Sequence, residues 1–285
     1  MPQRQSPTVR RRRLASELRR LREEARKTSA EITKTLEWSP GKLTRMERNE
    51  GKRYDPNDIK RLCDEIYKTD ERTRDYLMQL ARDGRLKGWW EPYDEKLPKS
   101  LSTLVGLEIE ASELLTYQTI VPGLFQTETY ARTLIQTADD VEANEIEDRI
   151  KIRMRRQEIL EGEDPVRVWA VLDEAAFRRE VGGKEVMRGQ LDHLIDLTGR
   201  PHVTLQVIPF NVGAHRGAGN PSFTILQFPH EADTDAVHTD SIAGDLFVEE
   251  ARQVDQFHRA FRHSVGTAFS PADTVKWVAA QLTRT

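Results

Sequence analysis

The 285-residue sequence predicts an α+β fold, mostly helical, in which an N-terminal five-helix bundle precedes a C-terminal domain of helices packed on a small, mainly antiparallel sheet. Three observations predict it. Apolar residues recur at helical spacing in five successive segments between residues 10 and 85. Strand-like runs appear late, from residue 166 onward, without the regular strand–helix alternation of a doubly wound parallel sheet. The charge is polarised: residues 1–85 hold 23 Lys/Arg against 15 Asp/Glu, whereas residues 86–285 hold 21 against 32. A chain of this length has enough residues for two hydrophobic cores, and the reading is a domain over 1–85, a connecting segment over 86–103 and a second domain over 104–285.

In the first domain, Leu14, Leu18, Leu21 and Ala25 mark the apolar face of a helix over residues 10–26. Ile32 and Leu36 mark the next, Leu43 and Met46 a third, Ile59, Leu62 and Ile66 a fourth, and Leu77, Leu80 and Ala81 a fifth. Cys63, the one cysteine, lies on the apolar face of the fourth and reads as a buried free thiol. The stretch "LKGWWEPYDEKLPKSLSTL" over residues 86–104 has two prolines and no sustained period, so the connection falls there. Its Trp89, Trp90 and Tyr93 are expected to pack against one of the domains. Beyond it, helical patterns cover 104–116, 124–137, 142–161, 184–199, 249–263 and 270–283, and strand patterns cover 166–172, 202–210, 222–228 and 244–249. The helix over 142–161 places Glu142, Glu145, Glu147 and Asp148 before Arg149, Lys151, Arg153, Arg155 and Arg156, the order a helix dipole favours.

Charged residues make up 32% of the chain and hydrophobic ones 37%, a globular composition. No apolar run approaches the roughly 20 residues of a membrane span, and "MPQRQSPTVRRRR" lacks the apolar stretch of a signal peptide, so a cytoplasmic location without membrane contact is expected. No P-loop, GxGxxG, HExxH or GxSxG motif is present, and no enzyme activity, cofactor or metal is expected. His258 and His263 are five apart and point to different helix faces. One catalytic arrangement remains to be weighed: His215, in the Gly-rich "NVGAHRGAGNPSF", with Asp240 and Asp245 downstream, which requires that the three converge. Gly213, Gly217 and Gly219 suit either a pocket wall or a long turn.

The stretch "SAEITKTLEWSPGKLTRMERNEGKR", residues 29–53, reads as two short helices around a tight turn, a helix-turn-helix. An α-helix fits the major groove, where base edges are distinguishable, provided neighbours anchor it on the backbone. Ser29 is expected to cap the first helix and offer its hydroxyl to a phosphate; Ser39 is expected to cap the second, with Pro40 at its first position. A solvated helical hairpin would also carry basic residues, but the core spacing, the caps and the net +8 of residues 1–85 favour double-stranded DNA as partner. The run Arg10-Arg11-Arg12-Arg13 fits phosphate contact, minor-groove entry or a solvated terminus equally.

Residues 10–53 resemble the large xenobiotic-response-element (XRE) type of helix-turn-helix, shared with phage repressors. The resemblance implies that Ile32, Leu36, Leu43 and Met46 are core, that Arg22 pairs with Glu47 to tie the first helix to the third, and that Pro40, Gly41, Lys42, Thr44 and Arg45 read bases. Arg45 is the candidate for a bidentate contact to guanine, and Lys42 reaches a base or a phosphate. Glu37 stands where the family places a left-handed glycine, and Thr33 where it places a smaller residue. With Pro40 and Gly41 among the readers, modest discrimination or reliance on DNA shape is expected.

The strings "GWWEPY", "LVGLEIEASELLTYQTIVPGLFQTETYAR", "WAVLDEAAFRREVGG", "MRGQLDHLI", "VTLQVIPF" and "GDLFVEE" resemble, in the same order, those of actinobacterial WhiJ-like regulators. That resemblance implies a transcriptional regulator whose C-terminal domain receives a small-molecule effector or a small partner protein encoded nearby. The alternative it carries is an antitoxin-like adaptor that mainly holds the partner and autoregulates its own promoter. A homodimer is expected, since two half-sites multiply the limited affinity of one helix-turn-helix. Leu124, Phe125 and Tyr130 are expected in the core, or in a partner groove if exposed.

Overall fold

The protein, seen here as a computed structural model, is described at residues 6–51, 53–93, 99–137, 143–215, 217, 219, 221–231, 233–240 and 244–283. Glu142, residues 94–98 of the connecting segment, and Arg216, Ala218 and Asn220 of the Gly-rich loop lie outside them. The chain divides into two compact units, Met1–Pro92 and Tyr93–Thr285, so Trp89 and Trp90 belong to the first.

The first unit holds five helices among its described residues: α1 (Pro7–Glu24), α2 (Ser29–Thr35), α3 (Lys42–Glu47), α4 (Pro56–Arg61), which runs into a π-helical turn (Leu62–Tyr67), and α5 (Glu71–Asp83). Every apolar position assigned to these helices from the pattern lies in one core except the half-buried Ala25; Tyr54 and Cys63 complete it. Burial raises the pKa of the Cys63 thiol, as befits a packed rather than reactive cysteine. Helix α1 starts at Pro7, three residues before the apolar pattern, and Arg12 and Arg13 are buried side chains of that helix rather than a solvated terminus.

The first three helices end the same way. Arg26, Glu37 and Asn49 adopt left-handed backbone at φ 53°, 56° and 53°. The following N–H then reaches back to a helix carbonyl: Lys27 to Arg22 at 3.2 Å, Trp38 to Thr33 at 2.9 Å and Glu50 to Arg45 at 3.0 Å. Glu37 therefore takes the conformation expected at the family's glycine position.

The second unit is built on a six-stranded mixed sheet in the order β3-β2-β1-β4-β5-β6. Its strands are β1 (Glu113–Gln118), β2 (Arg167–Asp173), β3 (Val203–Ile208), β4 (Phe223–Gln227), β5 (Ala236–Thr239) and β6 (Leu246–Val248). Three of the five pairings are antiparallel, while β1, β2 and β3 run parallel. The helices are α6 (Lys99–Glu110), α7 (Glu128–Gln136), α8 (Ala143–Arg156), the short α9 (Ala175–Arg178), α10 (Lys184–Thr198), α11 (Ala251–Thr267) and α12 (Pro271–Leu282).

Two strands escaped the sequence pattern. Leu107, Ala111 and Leu114 continue the helical spacing of α6 into what is strand β1, and the change of structure is set at Ser112, whose N–H donates to Gln227 O of β4 at 2.8 Å. Strand β5 spans only four residues. One face of the sheet packs Tyr117, Val171, Phe223, Ile225 and Val237 against Val254 and Phe261 of α11. No helix among the described residues is long and apolar enough to cross a membrane.

Left-handed backbone costs a residue with a Cβ about 1–2 kcal/mol, of which the larger unfolded-state entropy of glycine returns about 0.4–1 kcal/mol. Glu37→Gly is therefore expected to stabilise the first unit by about 0.5–1 kcal/mol. Slower amide exchange over residues 33–47, with a higher urea midpoint, would show it; unchanged or faster exchange would count against the closure as drawn.

Candidate nucleic-acid interface and ligand cavity

The turn between α2 and α3 differs in detail from its sequence reading. Thr28, not Ser29, is the cap of α2: it accepts from Glu31 N at 3.2 Å, while Glu31 Oε2 accepts from Thr28 N at 2.7 Å, a reciprocal capping box. The signal was in the sequence, a Thr followed three residues later by Glu. Ser39 does not cap α3 either. Residues 39–42 form a β-turn, closed by Lys42 N donating to Ser39 O at 3.1 Å, with Pro40 and Gly41 at its centre. Gly41 is the residue before α3 and has φ 76° and ψ 0°, the type II geometry that only glycine adopts without strain.

The other candidate readers are brought to this one end of the unit. Ser29 Oγ and Thr44 Oγ1 lie 2.9 Å apart and share one hydrogen bond, so one of the two hydroxyls keeps a proton to donate to a phosphate oxygen. Arg45 is exposed, its Nη1 donating weakly to Pro40 O at 3.4 Å. Ser39 and Pro40 are exposed as well. Lys42 is held back: its Nζ sits 2.7 Å from Asp58 Oδ2 and 4.2 Å from the centre of the Trp38 ring. Neither partner was legible, because Asp58 lies on another helix. Arg48, which no base-reading pattern singled out, is exposed just after the last residue of α3 and stands 3.8 Å from Glu50.

Arg22 and Glu47 meet as expected. Arg22 Nε donates to both Glu47 oxygens, at 2.8 and 3.0 Å, and Arg22 Nη1 donates to Lys27 O at 3.3 Å. Glu47 is 8% exposed and Arg22 19%, so the pair is substantially desolvated; the hydrogen bond to Glu47 raises the pKa of Arg22.

The second unit encloses a cavity of about 690 Å³ on the sheet face opposite α11, within the range of roughly 300–1,000 Å³ typical of small-ligand sites. Its floor is a row of side chains set by strand register, Thr116 on β1 opposite Thr224 on β4, and Thr224 opposite His238 on β5. Leu101, Leu104 and Glu108 of α6 and Arg149, Ile152, Arg153 and Arg156 of α8 face it. A further wall is residues 120–126 of the "TIVPGLFQTETYAR" string, in which only Gly123–Phe125 form a 3-10 turn, together with Leu134 and Ile135 of α7. A buried segment with so little regular structure needs partners for its backbone, and three glutamines supply them. Gln126 Nε2 donates to Val121 O at 2.7 Å, Gln157 Nε2 to Gly123 O at 3.0 Å and to Gln126 O at 2.7 Å, and Gln190 Nε2 to Phe125 O at 2.7 Å. Leu124, Phe125 and Tyr130 are buried, as core packing requires.

The arginines of α8 complete the site. Spaced at 149, 153 and 156, they share one helix face, a pattern present in the sequence but read there only as dipole order. Arg156 makes a bidentate pair with Glu108, Nε to Oε2 at 2.9 Å and Nη2 to Oε1 at 2.7 Å, with both residues buried. Arg153 Nη1 donates to Gln126 Oε1 at 2.6 Å; burial, with Arg156 beside it, lowers its pKa to about 10, so it stays charged at neutral pH. His215 does not join Asp240 and Asp245. It lies 3.7 Å from Asp173 and packs edge-on against Tyr117, on the α11 side of the sheet, and Asp240 and Asp245 gather instead on His238.

The chain matches two families. Residues 13–77 match a helix-turn-helix domain, and residues 101–280 match a domain of unknown function, DUF5753. No curated protein and no solved structure matches.

Glu108→Ala leaves Arg156 buried without its counter-charge and is expected to cost about 3–5 kcal/mol. Replacing both members, Glu108→Leu with Arg156→Met, is expected to recover most of that loss. Urea denaturation of the full chain, with hydrogen exchange over residues 101–156 to locate the change, measures it; single and double variants of equal stability would contradict a buried pair.

Proposed function

This chain belongs to the DUF5753 family and joins that domain to a DNA-binding helix-turn-helix, and from that premise we propose a transcriptional regulator that reads DNA through α3 and receives a small-molecule effector in the cavity of its second unit. The observation that carries the DNA-reading half is the exposed surface at the start of α3. Pro40 and Arg45 face solvent there, and the Ser29–Thr44 hydroxyl pair offers a phosphate anchor beside them. In this reading Arg45 contacts a guanine edge and Ser29, Ser39, Gly41 and Thr44 sit at the backbone or groove floor. Lys42, bound to Asp58, adds positive potential near a phosphate rather than reading a base.

Two half-sites about one helical turn apart would give a homodimer its affinity. For the second unit we favour an effector over a small partner protein, because the Leu124, Phe125 and Tyr130 side chains that a partner groove would need are buried, while the cavity beside them has the size and mixed polarity of a ligand site. We assign it no catalytic step, since His215 stands apart from Asp240 and Asp245. The WhiJ-like resemblance, XRE-type reading and cytoplasmic location belong to the same proposal.

Fluorescence anisotropy at two salt concentrations, using the DNA upstream of the protein's own coding sequence and a scrambled duplex, tests the DNA-reading half. Arg45→Ala is expected to cost about 1–3 kcal/mol on the specific duplex and to narrow the gap between the two. Lys42→Ala is expected to weaken both alike. Equal losses on both duplexes for Arg45→Ala would remove it from the base readers.

A further inference from the structure

The rim of the cavity carries a cluster that the DNA-reading function does not use. His238, on the buried floor, is 6% exposed. Its Nε2 makes no hydrogen bond among the described residues, yet Asp240 Oδ1 lies 3.2 Å from it and Asp245 Oδ2 3.5 Å, both outside hydrogen-bond alignment. The three donor atoms lie within 4.8 Å of one another, with His238 buried, Asp245 half-buried and Asp240 at the solvent side. A buried imidazole nitrogen that faces two carboxylates without bonding either is costly unless something sits between them.

We propose that His238, Asp240 and Asp245 form a binding site for a divalent transition-metal ion, zinc in the first place, at the mouth of the cavity. The spacing suits it. Donors about 2.0–2.2 Å from a common tetrahedral ion stand roughly 3.3–3.6 Å apart, and the distances here are 3.2 and 3.5 Å. The chemistry narrows the ion: calcium and magnesium take oxygen donors, whereas one imidazole with two carboxylates suits zinc, manganese or iron(II). Three protein ligands leave a coordination position open toward the cavity. Electrostatics oppose and then permit the ion. Arg153 and Arg156 act on Asp240 from α8, and Arg156 acts on Asp245 as well, but Arg156 is paired with Glu108, so among the described residues the two carboxylates face one guanidinium that has no ion-pair partner of its own. The site stands apart from the DNA-reading proposal, and neither needs the other.

The test uses the tag-free full-length chain, stripped with a chelator and titrated with Zn2+ by isothermal calorimetry, with Co2+ substitution followed by visible absorption. One ion per chain is expected. His238→Gln and Asp245→Asn are each expected to lower affinity by more than the ~10–100-fold that loss of an outer-sphere partner costs, and to abolish the Co2+ spectrum. Circular dichroism checks that each variant folds, and the solvent-side Asp240→Asn keeps the test open if the buried substitution does not. No saturable Zn2+ binding by the folded wild type would overturn the proposal. So would wild-type affinity in the folded variants, which would place the ion on another histidine such as His258 beside Asp235.

Discussion

The cavity of the second unit depends on one constraint: residues 120–126 form no strand and only a single 3-10 turn, at Gly123–Phe125, which closes Phe125 N on Pro122 O at 2.8 Å and leaves the carbonyls of Val121, Gly123, Phe125 and Gln126 to find partners elsewhere. Gln126, Gln157 and Gln190 satisfy these four, each through a neutral amide that adds no charge to the wall. Because Gln126 also accepts from Arg153, the same network fixes a guanidinium at the cavity surface. Substituting any of these glutamines with an apolar residue would strand a buried carbonyl, at about 1–3 kcal/mol each. The string "VPGLFQT" thus reads as backbone that must be held open, which explains why its apolar residues are packed and its glutamine points inward.

In the first unit the constraint is length. Helix α3 has six residues, too few to persist alone, since isolated helices shorter than about 12–15 residues are marginal in water. Its ends are therefore fixed from outside, by the Ser39–Lys42 turn at the start, the left-handed Asn49 at the finish and Glu47 tied to Arg22 of α1. Leu43 and Met46 hold its inner face in the core. What remains outward is a short polar face with Arg45 on it, and its rigidity comes from its neighbours rather than from its own propensity.

Much of this was legible. The core of the first unit follows the 3.6-residue period nearly position by position, and Arg22 with Glu47 followed from the family resemblance. The caps were misplaced by one or more residues because a Ser beside a Thr, or before Pro-Gly, satisfies the same preference, and only the backbone decides between a cap and a turn. Strand β1 was hidden because Leu107, Ala111 and Leu114 keep a helical spacing across a junction that β4, more than a hundred residues away, determines. The cavity was illegible for the same reason: Thr116, Thr224 and His238 are adjacent only through sheet register.

That register bears on what the second unit is for. A sheet with both faces covered by helices is usually apolar on both, since buried hydroxyls and imidazoles lose hydration. The α11 face is mostly apolar, with Tyr117, Phe223, Ile225 and Val237, and its buried Gln206 is bonded on both sides, accepting from Trp169 Nε1 at 2.8 Å and donating to Phe269 O at 2.7 Å; Thr239 is its other buried polar strand residue. The opposite face breaks the rule in one contiguous row, Thr116, Thr224 and His238, directly beneath the arginines of α8. Thr116 and Thr224 satisfy each other at 2.8 Å, and Thr116 also donates to Phe223 O, but among the described residues nothing comparable serves His238 Nε2. Breaches of local rules that cluster in one place are expected where a fold gives up stability for function. The cavity also brings unlike groups close together, the guanidiniums of α8 and the carboxylates with imidazole at the β5 rim. A ligand that satisfied both would carry an anionic group toward Arg153 and a cation, or a metal-bound atom, toward His238.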